Sequence, residues 1–128
     1  MAAGKYNFTI EQGTTVNFEI QYKDSSNNPV DLTDYSGRMQ LKSGYANSNP
    51  TTYLTLSSSL NDDGTGLNFS GSNGSTPPTS GSIGIYISAA SSSALTFDTA
   101  YYDLEIYSGS AATRLIEGQV RISKQVTT

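Results

Sequence analysis

The chain has no cysteine and no histidine among its 128 residues. Without cysteine it can form no disulfide, no thiolate nucleophile and no thiolate metal site. Without histidine it lacks the commonest general base and metal ligand of proteins. Two large classes of reaction mechanism are thereby excluded. Since no other group of residues in the sequence supports a reaction centre, we predict a protein that is not an enzyme, with no catalytic residue, no metal site and no cofactor.

Basic residues are also scarce. Seven lysines and arginines against eleven acidic residues give a net charge of −4, and the basic residues are scattered from Lys5 to Lys124. A phosphate-binding surface needs such residues clustered, so we expect no nucleic-acid partner. No apolar run is long enough for a signal peptide or a membrane span, so we expect no membrane partner either. The absence of cysteine favours assembly in a reducing cytoplasm.

What the sequence does contain is alternation of apolar and polar residues, which is the pattern of a strand with one buried face. The alternation runs through residues 16–22, stops at a polar turn over residues 24–29, and resumes over residues 37–42. Similar short segments cover residues 6–10, 53–56, 67–69, 82–88, 102–106 and 114–123. Seven to nine short strands separated by turns predict an all-β sandwich, folded as one domain over residues 1–128.

Two details complete the predicted fold. Ser88 is placed to cap one short helical turn over residues 89–95, and the Gly-, Ser- and Pro-rich residues 70–82 are expected to form an exposed loop. By strand phase, the core should contain Phe18, Ile20, Met39, Leu41, Ile85, Ile87, Leu104, Ile106, Val120 and Ile122.

Acidic residues offer two candidate sites, and we interpret both as structural. Residues 61–64 resemble part of a calcium loop, but the two aspartates are adjacent and no glutamate follows until Glu105, so a turn fits better. Asp103 and Glu105 share one face of a predicted strand. Since they alternate with core residues, we expect a solvated outer face rather than a glycosidase pair.

Tyrosine is the most informative residue type, with nine copies and no tryptophan. Several tyrosines fall in loops or on the outward phase of strands, where an aromatic ring with a polar tip suits a protein interface or a carbohydrate site. Alternatively, they shield the edges of a thin core. The candidate interface residues are Tyr45, Asn47, Tyr53, Pro77, Pro78, Tyr86, Tyr101 and Tyr107.

The order of several short motifs resembles one family. Asn-Pro-Val-Asp-Leu-Thr at residues 28–33 precedes a strand, Gly-Ser-Ile-Gly at 81–84 leads into Ile-Ser-Ala-Ala at 87–90, and Glu-Gly-Gln-Val follows at 117–120. The chain thus resembles the immunoglobulin-like β-sandwich domains of tailed-phage tail, baseplate and collar proteins. These include the N-terminal domain of baseplate upper proteins and virion structural proteins of cyanobacterial myophages.

The resemblance implies an immunoglobulin-like antiparallel sandwich and a non-enzymatic structural role in the virion, assembled in the host cytoplasm. It implies a tail, baseplate, neck or fibre-collar component whose partners are other virion structural proteins, present in multiple copies or as a ring-shaped homo-oligomer. Two alternatives stay open: a carbohydrate-binding module for host-surface glycans, and a capsid decoration protein. A tyrosine platform beside Asn, Asp or Gln would favour the first of these, and tyrosines spread over several surfaces would favour assembly.

Overall fold

The computed structural model describes residues 4–44, 49–60, 62, 64–71 and 74–126. Within these residues the chain forms nine strands, one short α-helix and a 3₁₀ turn over Pro78–Ser80. The strands are β1 (Gly4–Lys5), β2 (Phe8–Glu11), β3 (Val16–Gln21), β4 (Ser36–Lys42), β5 (Thr52–Ser57), β6 (Gly66–Asn68), β7 (Ser82–Ile87), β8 (Thr99–Ser108) and β9 (Ala111–Ser123), and the helix is α1 (Ala89–Ser93).

Two sheets pack face to face, so the prediction of an all-β sandwich is confirmed. The larger sheet has the order β1 and β2, then β9, β8, β4 and β5, and the smaller sheet has the order β3, β7, β6. This is the strand order of an immunoglobulin-like sandwich, in which strands G, F, C and C′ form one sheet and strands B, E and D the other. One detail departs from a purely antiparallel sheet: β1 and β2 both run parallel to β9.

The core lies between the two sheets and largely follows the predicted strand phase. Of the predicted core residues, seven are buried: Met39, Leu41, Ile85, Ile87, Leu104, Ile106 and Val120. Phe18, Ile20 and Ile122 are only partly buried and pack against that core. For Phe18 and Ile20 the reason is position, because β3 pairs with β7 alone among the described residues and forms an edge of the smaller sheet.

The helical turn begins where it was predicted to begin. The Ser88 hydroxyl oxygen accepts a hydrogen bond from the Ser91 backbone N–H at 3.0 Å, which caps the first turn of α1. The helix ends at Ser93, two residues before the predicted end. Leu95 leaves the helix because its side chain is buried in the core between the sheets.

The segment between β6 and β7 is more closely tied to the domain than an exposed loop would be. The Leu32 N–H donates to the Pro78 carbonyl oxygen at 3.0 Å, and the Tyr22 N–H donates to the Gly81 carbonyl oxygen at 2.8 Å. Gly81 has a φ of 71°, and a Cβ there would lie 2.5 Å from the Tyr22 carbonyl oxygen. The prediction of a wholly exposed loop is therefore wrong for the end of this segment, because backbone bonds dock it on the chain near β3.

Candidate interaction surfaces

The predicted interface residues do not converge on one site. Tyr45 and Asn47 lie outside the described residues. The others are spread over three surfaces: the β5 edge with Tyr53, the outer face of the larger sheet with Tyr101 and Tyr107, and the smaller-sheet side with Tyr86, Pro77 and Pro78. Pro77 is exposed and Pro78 partly buried. The described candidates therefore do not form one tyrosine platform.

The free edge of the larger sheet is β5. Among the described residues, β5 is hydrogen-bonded as a strand to β4 alone, and its sequence, Thr-Tyr-Leu-Thr-Leu-Ser, carries no charge and no proline. Charged residues, prolines and very short strands are the usual devices that keep edge strands from pairing with other chains. β5 uses none of these three, although its register shifts opposite Leu41 and Lys42.

Tyr53 extends this edge with an aromatic surface. Its ring stacks on that of Phe97, with centroids 4.6 Å apart and planes 23° apart. Phe97 is 7% exposed and Tyr53 is 36% exposed, so the buried ring supports the exposed one. Sequence reasoning singled out Tyr53 but missed Phe97, whose only signal was the alternation of Leu95, Thr96 and Phe97 just before β8.

The opposite edge of the larger sheet is built differently. Between β1 and β2 the chain crosses Gly118 of β9, where a Cβ would collide with the Tyr6 carbonyl oxygen and lie 2.7 Å from Oδ1 of Asn7. The Tyr6 N–H donates to the Glu117 carbonyl oxygen at 3.0 Å, and the Gln119 N–H donates to Oδ1 of Asn7 at 2.8 Å. The Tyr102 hydroxyl donates to the Tyr6 carbonyl oxygen at 2.5 Å. The result is a short, interrupted edge strand.

The outer face of the larger sheet is polar and mixed in charge. Tyr101, Asp103, Glu105 and Tyr107 point outward from β8 and are each half-buried. Arg114 lies 3.4 Å from Asp103 and 3.9 Å from Glu117. Burial raises the pKa of Asp103, and the neighbouring Glu105 carboxylate raises it further, while Arg114 opposes both. Asp103 and Glu105 thus occupy the solvated outer face that their spacing predicts.

A groove of about 310 Å³ lies on the outer face of the smaller sheet. In the sheet register, Asn17 pairs with Tyr86, which pairs with Gly66. In the next outward row, Gly84 pairs with Asn68. Because Gly66 and Gly84 carry no side chains, the sheet backbone forms the floor of the groove between Tyr86 and Asn68. The described residues that line the groove are Asn17, Leu60, Gly64, Gly66, Asn68, Gly84 and Tyr86.

The described part of the chain has neither a metal-binding cluster nor a membrane-spanning helix. No group of three or more histidine, cysteine, aspartate or glutamate side chains is arranged there to hold a metal ion. No helix in the same residues has the length and apolar character needed to cross a membrane. Asp62, from the segment with a partial likeness to a calcium loop, is exposed, and its neighbours Asn61 and Asp63 lie outside the described residues.

No protein-family model matches this chain, and no curated protein matches its sequence. The strand order alone defines the class of this protein, an immunoglobulin-like β-sandwich. Proteins with this fold have many unrelated functions. The likeness to phage tail domains stays a prediction that depends on motif order.

Proposed function

We propose that this chain is a non-enzymatic structural protein of a bacteriophage virion, a tail, baseplate, neck or fibre-collar component that assembles through the edge of β5. The observation that carries the proposal is the uncharged β5 edge, which pairs with β4 alone among the described residues. An exposed row of backbone N–H and C=O groups is a template for a strand of another chain. A protein whose function is assembly has a use for such an edge.

The mode of contact is strand addition. In this mode main-chain hydrogen bonds supply affinity, and side chains that alternate along the strand supply specificity. Tyr53 is the aromatic anchor, since its ring is held flat against Phe97 before any partner arrives. Tyrosine is among the residues that contribute most at the centres of interfaces.

The partner is another copy of the chain or a neighbouring virion protein. Pairing of β5 with β5 across a two-fold axis closes at a dimer, whereas pairing of β5 with a different edge propagates into a ring or a filament. The edge strand β3 of the smaller sheet is one such different edge, and it carries Glu19. Mass in solution distinguishes these two modes directly.

A charge introduced on β5 tests the edge. Thr55 is exposed on this strand, and its hydroxyl accepts a 3.2 Å hydrogen bond from Gln40. Thr55→Lys should change the free energy of unfolding by no more than about 0.5 kcal/mol and should abolish self-association in sedimentation velocity runs and incorporation into particles. The matched control is Gln119→Lys, which adds the same charge on exposed β9 of the same sheet. Normal assembly of Thr55→Lys would contradict the proposed edge.

The virion assignment has a separate test. An antibody against the chain should label purified phage particles made from the genome that carries its gene, at the tail, baseplate, neck or fibre collar in electron micrographs. Labelling over the head would favour the capsid decoration alternative. Absence of the chain from purified particles, by mass spectrometry, would contradict a structural role in the virion.

A further inference from the structure

We infer that the groove on the outer face of the smaller sheet is a binding site for a short neutral saccharide. The lining shares no residue with β5, although Gly66 lies beside the Ser57 carbonyl oxygen, and a sugar titration of the free chain can fail without any change in the assembly test. The groove volume of about 310 Å³ lies at the small end of the range of about 300–1,000 Å³ for ligand pockets. It suits a short sugar better than a folded partner.

The charge of the lining argues for a neutral ligand. None of the described residues that line the groove is charged. Glu19 lies opposite Gly84 in the same outward row, but it is not part of the lining and already takes part in another interaction. A sulfated, phosphorylated or carboxylated ligand would require a basic side chain, and a cationic one would require a carboxylate, to offset the loss of its hydration. A ligand with hydroxyl groups needs only donors and acceptors.

Those donors and acceptors are present. Among the described residues, neither the Asn17 amide nor the Tyr86 hydroxyl makes a hydrogen bond. Asn68 accepts a hydrogen bond from the Ser70 N–H at its Oδ1, at 2.8 Å. This bond orients the amide, whose NH₂ group donates to none of the described residues. An amide both donates and accepts, as a sugar hydroxyl does, so three polar groups remain available around one glycine floor.

The apolar part of the lining matches the C–H face of a sugar ring. Leu60 is 47% exposed and supplies an apolar side chain, and Tyr86 supplies an aromatic ring with a polar tip. Gly64, with a φ of 89°, lies beside that ring, since a Cβ there would be at an ordinary contact distance of 3.4 Å from its Cε1 atom.

The test is a titration of isotope-labelled protein followed by amide chemical shifts. Glucose, galactose, mannose and N-acetylglucosamine are each added to about 50 mM, since an affinity of 1 mM corresponds to only about 4 kcal/mol. At least one sugar should give saturable shifts at the amides of Gly66, Gly84 and Tyr86. Glucuronic acid should bind more weakly than glucose. The inference is overturned by saturation with none of the four sugars, by stronger binding of glucuronic acid, or by shifts centred elsewhere.

Two variants connect the shifts to the groove. Asn17→Asp keeps the side-chain shape but removes both amide donors and adds a charge, and it should weaken the binding at least tenfold. Asn28→Asp, the same change in an exposed turn outside the groove, should leave the affinity unchanged. Tyr86→Ala should abolish binding, while Tyr107→Ala on the other sheet should retain it. Unaltered affinity in both Asn17→Asp and Tyr86→Ala overturns the inference, even if a sugar binds.

Discussion

The two edges of the larger sheet differ in how far they are protected from pairing with another chain. At one edge, the chain lays β1 and β2 along β9 and interrupts them at Tyr6 and Asn7, where backbone and side-chain hydrogen bonds hold the crossing. At the other edge, β5 presents six residues without charge or proline, and among the described residues it pairs with β4 alone. A short interrupted strand resists pairing with another chain, whereas an uncharged regular one invites it.

The contrast indicates which edge of the larger sheet can pair with another chain. Gly118, Asn7 and Tyr102 make the first edge specific to its own N-terminal segment. Within the described residues, only the end of β5 is approached, where Gly66 lies beside the Ser57 carbonyl oxygen, and β4 is the only strand that pairs with β5. If β5 is the assembly edge, changes at the first edge should affect folding, and changes at β5 should affect association.

The largest effect on stability is expected between the two edges, at Leu104 in the core. This residue is fully buried in β8, the central strand of the larger sheet. Leu104→Ala leaves a cavity there and should cost about 2–5 kcal/mol of unfolding free energy. Urea denaturation followed by tyrosine fluorescence measures the loss. A variant as stable as the parent would mean that β8 has a different phase.

The next effect concerns the protected edge itself. In Gly118→Ala, the new methyl group meets the Tyr6 carbonyl oxygen and Oδ1 of Asn7, so the N-terminal segment must move. Overpacking of this kind costs about 1–3 kcal/mol. Gly4→Ala is the control, because its Cβ would contact only the Leu115 carbonyl oxygen at an ordinary 3.6 Å. Equal melting temperatures for the two variants would show that β1 and β2 do not seal this edge.

A smaller effect isolates one hydrogen bond at the same edge. Tyr102→Phe removes the hydroxyl that donates to the Tyr6 carbonyl oxygen and keeps the ring, which packs against Phe8 at a centroid distance of 5.2 Å. The loss should be about 1 kcal/mol. Tyr107→Phe, which changes a half-buried tyrosine on the outward side of β8, should be nearly neutral. Equal losses in both variants would contradict a specific role for the Tyr102 hydroxyl.

Much of the fold could be predicted from the sequence, because strand alternation reports burial directly. Met39 and Leu41, or Leu104 and Ile106, alternate with polar neighbours and are buried as expected. Leu32 was missed because it lies outside the strands and reaches the core from a turn. The parallel pairing of β1 and β2 was missed because no local pattern records which distant strand a segment joins.

The candidate surfaces were harder to predict. The sequence identified outward tyrosines such as Tyr53 and Tyr86, since exposure follows from strand phase. It did not group them, because their neighbours Phe97 and Asn17 are distant in the chain and meet them only through tertiary packing or strand register. Gly84 is noticeable in the sequence as a glycine inside a predicted strand. That it forms the floor of a groove follows only from its pairing with Asn68 on the neighbouring strand.

The most direct test of the account compares amide hydrogen exchange at the two edges in the free chain and in the purified assembled particle. Assembly through β5 predicts that those amides of residues 52–57 whose N–H groups point away from β4 become strongly protected in the particle, since these groups gain partners. The amides of residues 8–11 in β2 should exchange at the same rate in both states. Equal exchange of residues 52–57 in the free and assembled protein would contradict the claim that β5 is the assembly edge.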